Sequence, residues 1–316
     1  VEAGPMYFAW PDNDSNASHN KSASVTLGTF GTCTDDDLIE GTGNIAKMDG
    51  SWITIETKIE GGSYLTTTPS TEKTTGGVKN NSNPTVQIGD FYIQNYVMAK
   101  GFIQALIAWG TGKSKDKYTN INSSDISGEY WTRGGGNFTF YSAMCYCNIL
   151  SEMCGLEPVY YTNSACTAVF RNGNDRTYYE DKTKNGYRIP TKYEWEWAAT
   201  SRGTKTVTEN YNYCGFIPIG TPPKTAIYYW NRRFDDRVDY VWDNEHQTYI
   251  DYGLMGMSGN MWEWTSSKNA DGTYIMKGGA YTSEKDKLTY YWDGSSDYAT
   301  NKNNSWGLRM VRNAEW

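Results

Sequence analysis

Six cysteines and two histidines are the side chains of this chain that could act as nucleophiles, redox centres or soft metal ligands. Cys145 and Cys147 stand two apart on an expected helix, so they point to different faces and are not expected to pair. Cys33, Cys154, Cys166 and Cys214 add no spacing that defines a disulfide framework, and buried free thiols are expected ahead of disulfides. His19 and His246 lie far apart in sequence. Asp235, Asp236, Asp239, Asp243 and Glu245 could be paired carboxylates, yet the plainer reading of such a run is a solvated loop. No G-x-S-x-G nucleophile elbow is present.

A different chemistry, non-covalent recognition, is suggested by residues 281–304. Tyr, Ser, Thr, Asn and Asp fill most positions there, and Leu288 is the only aliphatic residue larger than Ala. So little apolar material cannot build a core, which makes the stretch an exposed loop pair or edge strand. Tyrosine supplies large, rather rigid contact area, while Ser, Asn and Asp supply adaptable hydrogen bonds. Tyr281, Tyr290, Tyr291, Trp292 and Tyr298 are the expected contact rings. Asp293, Ser296, Asp297, Asn301 and Asn303 are the expected polar contacts. Trp292 and Trp306 could instead belong to the framework.

The elements that must hold this segment are legible in part. Ile53, Ile55 and Ile59 fall on one side of Ser51–Ile59 at a period of two, which predicts a half-buried strand. Residues 66–83 read as loop from their Thr, Gly and Asn content, and Val86–Ile93 is again strand-like. Helical spacing of Phe102, Ala105, Leu106 and Trp109 predicts a helix over 97–109. Met144, Cys147, Leu150 and Met153 stripe a second helix over 141–153, where core packing is the expected role. Thr191 and Glu194 have capping-box spacing and start a third helix carrying Trp195, Ala198 and Ala199. Beyond residue 203 short strands in long loops are expected, so the whole reads as α+β.

Composition narrows the function further. At 316 residues the chain can bury a substantial core without staples. Its net charge of -7 would repel a phosphate backbone, and no Lys/Arg stripe tracks one, so nucleic acid is not an expected partner. No run approaches the roughly 18 to 20 apolar residues that a membrane-spanning helix needs.

Five segments in order resemble the formylglycine-generating-enzyme and sulfatase-modifying-factor domain family. They are Val86–Val97; Phe140–Glu152 with Gly155–Tyr160; Tyr187–Ala199; Tyr252–Trp264; and Gly278-Gly279 followed by Gly307–Arg312. The resemblance implies a C-type lectin-like fold with small twisted sheets, two to three helices and long loops over residues 84–316, and residues 1–83 are expected as an extension packed on it. It also implies that Asn260 and Glu263 could ligate a structural Ca2+, beside the alternative of a turn hydrogen bond and a surface acid; no other cofactor is expected. The family's enzyme uses a cysteine pair between the Gly-Gly motif and the last strand, whereas the last cysteine here is Cys214. A second branch builds an iron site from several histidines, which two distant ones cannot supply. No catalytic residue is therefore assigned.

The polar, aromatic stretch between the framework strands resembles the variable region of diversity-generating-retroelement variable proteins. That implies a binding protein on a bacterial cell surface, anchored through a segment outside this chain, with a macromolecular ligand that is a protein or cell-surface molecule. The rival readings are an oxidoreductase of the same family with an unrecognised site and a Ca2+-dependent carbohydrate-binding lectin.

Overall fold

The computed structural model describes residues 47–48, 51–52, 56–66, 83–94, 97–98, 100–112, 114–127, 134–199, 257, 261–280, 283, 287, 290, 292–293 and 296–314. The acidic run at 235–245, Asn260, Cys33 and Cys214 lie outside them.

The first elements are strands β1 (Lys47–Met48), β2 (Ser51–Trp52), β3 (Glu56–Ile59), β4 (Gly62–Leu65), β5 (Thr85–Ile88) and β6 (Phe91–Gln94). The strand predicted over 86–93 is thus two strands. Asp90 turns the chain between them, its Oδ1 accepting from the Gly61 amide at 2.8 Å. β5 pairs antiparallel with β4, while β6 pairs with β3 in the register Glu56↔Gln94 to Ile59↔Phe91. Residues 56–65, expected in an extension, are therefore strands of the domain itself, and Ile59 is fully buried in its core.

Helix α1 (Lys100–Gly112) starts later than predicted. The Met98 amide donates to the Leu308 carbonyl at 2.8 Å, a partner that helical periodicity cannot reveal. Helix α2 (Phe140–Met153) is capped by Thr139, whose hydroxyl accepts from the Ser142 amide at 3.1 Å. It ends where Gly155 adopts φ +68°, a left-handed conformation that suits glycine after a helix. Met144, Cys145, Cys147, Leu150 and Met153 are all buried, and burial pushes the Cys145 and Cys147 thiols up, away from reactive thiolate. The four cysteines among the described residues are free.

Short strands β7 (Tyr160–Tyr161) and β8 (Tyr179–Glu180) pair antiparallel and lead to helix α3 (Lys192–Ala199). Its capping box is formed in both directions. The Glu194 amide donates to Thr191 Oγ1 at 3.1 Å, and the Thr191 amide donates back to Glu194 Oε2 at 2.8 Å.

Strands β9 (Trp262–Lys268), β10 (Tyr274–Lys277), β11 (Ser296–Asp297) and β12 (Trp306–Gly307) form a four-stranded sheet in the order β11-β10-β9-β12, with β12 parallel to β9. The final strand β13 (Val311–Asn313) joins β6 and β3. Side chains alternate across the four-stranded sheet. Trp262, Trp264, Tyr274 and Met276 enter the main core with α1 and α2, and Phe140 stacks on Tyr274 at 3.9 Å. Glu263 and Lys277 take part instead in contacts with α3. No helix among the described residues is long and apolar enough to cross a membrane.

Candidate binding surface

Buried charge holds the C-terminal segment in place. Arg309 is fully buried and donates from Nη2 to Glu263 Oε1 at 2.9 Å and from Nε to Oε2 at 3.0 Å, while the Trp195 indole N–H reaches the same Oε2 at 2.7 Å. Glu263 is therefore not a surface acid: it is fully buried, and its carboxylate is engaged by a guanidinium and an indole. Among the described residues no group of three or more His, Cys, Asp or Glu is placed to hold a metal ion.

A second charged cluster lies beneath residues 292–293. Lys277, fully buried at the end of β10, donates to Glu196 Oε1 at 2.9 Å, to the Trp292 carbonyl at 3.1 Å and to Asp293 Oδ1 at 2.8 Å. Lys192 donates to the other Asp293 oxygen at 2.6 Å. Burial would raise the Asp293 carboxyl, but the two ammonium groups outweigh it and hold the group below the usual carboxylate range. At Glu196 burial wins over the pull of Lys277 and the carboxyl is raised. Tyr64, from β4, adds a hydroxyl donor to Glu196 at 2.7 Å.

These contacts divide the expected contact residues into two groups. Tyr290 is only 2% exposed and packs with Trp195, Ala199 and Met257, so its ring is part of a core cluster and not of the surface. Asp293 is an anchor, spent on Lys192 and Lys277. Trp292 is half-buried against the main core, as is Trp306, whose ring meets Trp264 edge-on at 5.3 Å. Tyr281 and Tyr291 lie outside the described residues.

The remaining residues do come together. Ser296 and Asp297 form edge strand β11, opposite Ile275 and Tyr274 of β10. Tyr298 follows with 57% of its surface exposed, between a half-buried Asp297 and a buried Ala299. Asp297 Oδ1 accepts from the Tyr298 amide at 2.7 Å and from Asn301 Nδ2 at 2.6 Å, and Asn303 Oδ1 accepts from the Ser305 amide at 2.9 Å. Asp297 and Asn303 thus shape the loop with the groups that were expected to meet a ligand, while Tyr298, Asn301 and Asn303 remain exposed.

The loop is also tied to the rest of the surface. The Asn137 amide donates to the Asn303 carbonyl at 2.8 Å, and Lys302 pairs with Asp125 at 3.4 Å. Sequence reasoning missed Lys192, Glu196 and Lys277; the one local hint was a lysine ending the otherwise apolar run Tyr274–Lys277.

Comparison with known proteins agrees with this architecture. A family model for the sulfatase-modifying factor enzyme 1-like domain matches residues 53–314, a span that takes in β3 and β4. The chain is 30% identical over 277 residues to a protein of Paenibacillus barcinonensis named "Chaperone protein LppX", covering 80% of this chain and 88% of that one. Among solved structures, CarF superposes with a TM-score of 0.57 at 20% identity over 83% of this chain and 99% of its own. Treponema denticola variable protein 1 does so with a TM-score of 0.51 at 17% identity over 86% and 99%. Matched over residues 53–314, the chain belongs to the family of sulfatase-modifying factor enzyme 1-like domains and has their C-type lectin-type fold.

Proposed function

We propose that the protein binds a macromolecular ligand, without covalent chemistry, through the loop carrying Ser296, Tyr298, Asn301 and Asn303. The observation that carries this reading is the contrast within one short segment: Tyr298 is 57% exposed while Tyr290 is 2% exposed. A large ring held in water by a rigid base costs little entropy to dock, and such rings dominate binding energy at interfaces. Burial of the Cys145 and Cys147 thiols, and the lack of any cysteine after Cys214, argue against the cysteine chemistry of the family's enzyme. The ligand is a protein or other cell-surface molecule, met at a bacterial surface to which an anchor outside this chain holds the protein. The retroelement-diversified character of the loop belongs to the same proposal.

The test is the coding sequences of sibling strains. Substitutions should crowd into the solvent-facing positions 298, 301 and 303 and spare the neighbouring Tyr290, Asp293 and Ala299. An even spread across the two groups would sink the reading.

A second reading is favoured by the sequence relative at 30% identity, whose name is that of a chaperone. The same exposed loop would then hold a non-native polypeptide. Suppression of light scattering by aggregating reduced lysozyme, lost in Tyr298→Ala, separates the two. Sustained oxygen consumption with a Cys-containing peptide would instead revive the oxidoreductase, and chelator-sensitive binding on a glycan array the calcium lectin.

A further inference from the structure

Three ion pairs inside this domain join a glutamate to an arginine: Glu56 to Arg312, Glu194 to Arg188 and Glu263 to Arg309. Their guanidiniums stay protonated and do not act as nucleophiles. The remaining buried cation among the described residues is an amine. Lys277 is fully buried, and two carboxylates, Glu196 and Asp293, share it.

All three Nζ protons of Lys277 are directed. One points to Asp293 Oδ1 at 2.8 Å, one to Glu196 Oε1 at 2.9 Å and one to the Trp292 carbonyl at 3.1 Å. The carboxyl carbon of Asp293 lies one bond beyond the first of these acceptors. Lys192 Nζ holds the other Asp293 oxygen at 2.6 Å, and the Tyr64 hydroxyl fixes Glu196 through Oε2 at 2.7 Å. An amine, a carboxyl group, a second carboxylate that carries protons and a cation on the carbonyl oxygen are the parts that amide formation needs.

We propose that Lys277 and Asp293 become joined by an intramolecular amide, Nζ to Cγ, with release of one water. The Nζ proton on the shortest contact passes to Asp293 Oδ1, which leaves a lone pair aimed at the carboxyl group. Attack on Cγ forms the C–N bond and places negative charge on Oδ2, where the Lys192 ammonium stabilises it. Glu196 takes the second Nζ proton and delivers it to Oδ1; the C–Oδ1 bond breaks, and Oδ1 departs with both protons as water. The third proton stays as the amide N–H, facing the Trp292 carbonyl, and Oδ2 becomes the amide oxygen. No oxidant or other reagent enters.

The ions are the starting state. Burial would lower the Lys277 ammonium, but Glu196 and Asp293 outweigh it and hold it up at about 12, so the neutral pair is reached rarely and closure is slow. Two features drive it forward. The reacting groups are held in contact, which replaces a bimolecular encounter. In water, hydration of the ions would favour the open form, whereas at this buried site the amide removes an ion pair whose desolvation is costly. Burial also raises the Glu196 carboxyl, which suits it to keep a proton once the ammonium is gone. The bond clamps residue 293, at the base of the 296–303 loop, to the end of β10, whatever ligand the loop meets.

The test is the intact mass of the full chain, kept folded for days at neutral pH and then denatured. The wild type should be lighter than its sequence by one water, and proteolysis should yield a branched peptide joining Lys277 to Asp293, uncut after residue 277. K277R keeps the positive charge but lacks the amine, and D293A lacks the carboxyl; both, checked first for a cooperative thermal transition, should show full sequence mass. E196Q should close about a hundredfold more slowly, as loss of a positioned proton carrier implies. Full sequence mass in the incubated wild type, a water loss that persists in K277R, or closure of E196Q at the wild-type rate would overturn the proposal.

Discussion

Arg312 donates its Nε–H to Glu56 Oε1 at 2.8 Å, a buried contact across 256 positions that joins the first and last strands of the three-stranded sheet. Tyr187 adds a hydroxyl donor to the other oxygen at 3.0 Å. Burial raises the Glu56 carboxyl against the lowering pull of Arg312, so the pair stands on its hydrogen bonds and its close fit more than on free charge.

Removing one member of such a pair leaves a buried charge without its counter-ion. Glu56→Ala should lower unfolding stability by about 3 kcal/mol in urea titration. A chain lacking residues 1–83 loses β3, β4 and Glu56 together, and should show no cooperative transition at all.

Glu194 supplies a pH signature. Burial raises its carboxyl, but the Arg188 guanidinium and the Thr191 donors outweigh burial and bring it down to about 2, from an ordinary 4.5. Its folded pKa is therefore depressed, so its contribution is present above about pH 4.5 and drains away as pH falls towards 2. Glu194→Gln keeps a residue suited to the capping box and removes the charge. The variant should be less stable at pH 7 and nearly level with wild type at pH 2, by urea titration at both.

The two tyrosines Tyr290 and Tyr298 should separate binding from folding. Tyr298→Ala should change stability by no more than about 0.5 kcal/mol and weaken ligand binding by at least about 1 kcal/mol. Tyr290→Ala, which empties a packed site, should lower stability by about 3 kcal/mol in chemical unfolding. Equal stabilities for the two variants would contradict the burial described.

Lys277 holds two carboxylates under the loop. Lys277→Met should destabilise by about 3 kcal/mol, because Glu196 and Asp293 lose their shared ammonium partner. Lys277→Met combined with Glu196→Gln should recover part of that loss, a non-additivity that thermal and urea unfolding of the double-mutant cycle will read.

Calcium should leave the melting temperature unchanged, since the Glu263 carboxylate is engaged by Arg309 and Trp195. A ligand that bound only the folded state would raise it with concentration. A rise with millimolar Ca2+, reversed by chelator, would point to a site other than the Glu263 carboxylate.

The sequence by itself determined the features whose causes are local. The stripe on α2 and the Thr191–Glu194 cap follow from periodicity and from a three-residue spacing. Only the tertiary structure decided which of two chemically identical tyrosines enters the core. Tyr290 is buried because Trp195, Ala199 and Met257 arrive from elsewhere in the chain to cover it. Asp293 became an anchor because Lys192 stands 101 positions away and Lys277 16, and Glu263 was engaged by Arg309 46 positions on. Periodicity reports only neighbours within a turn or a strand, whereas the fate of a polar side chain depends on the partner that the fold brings to it.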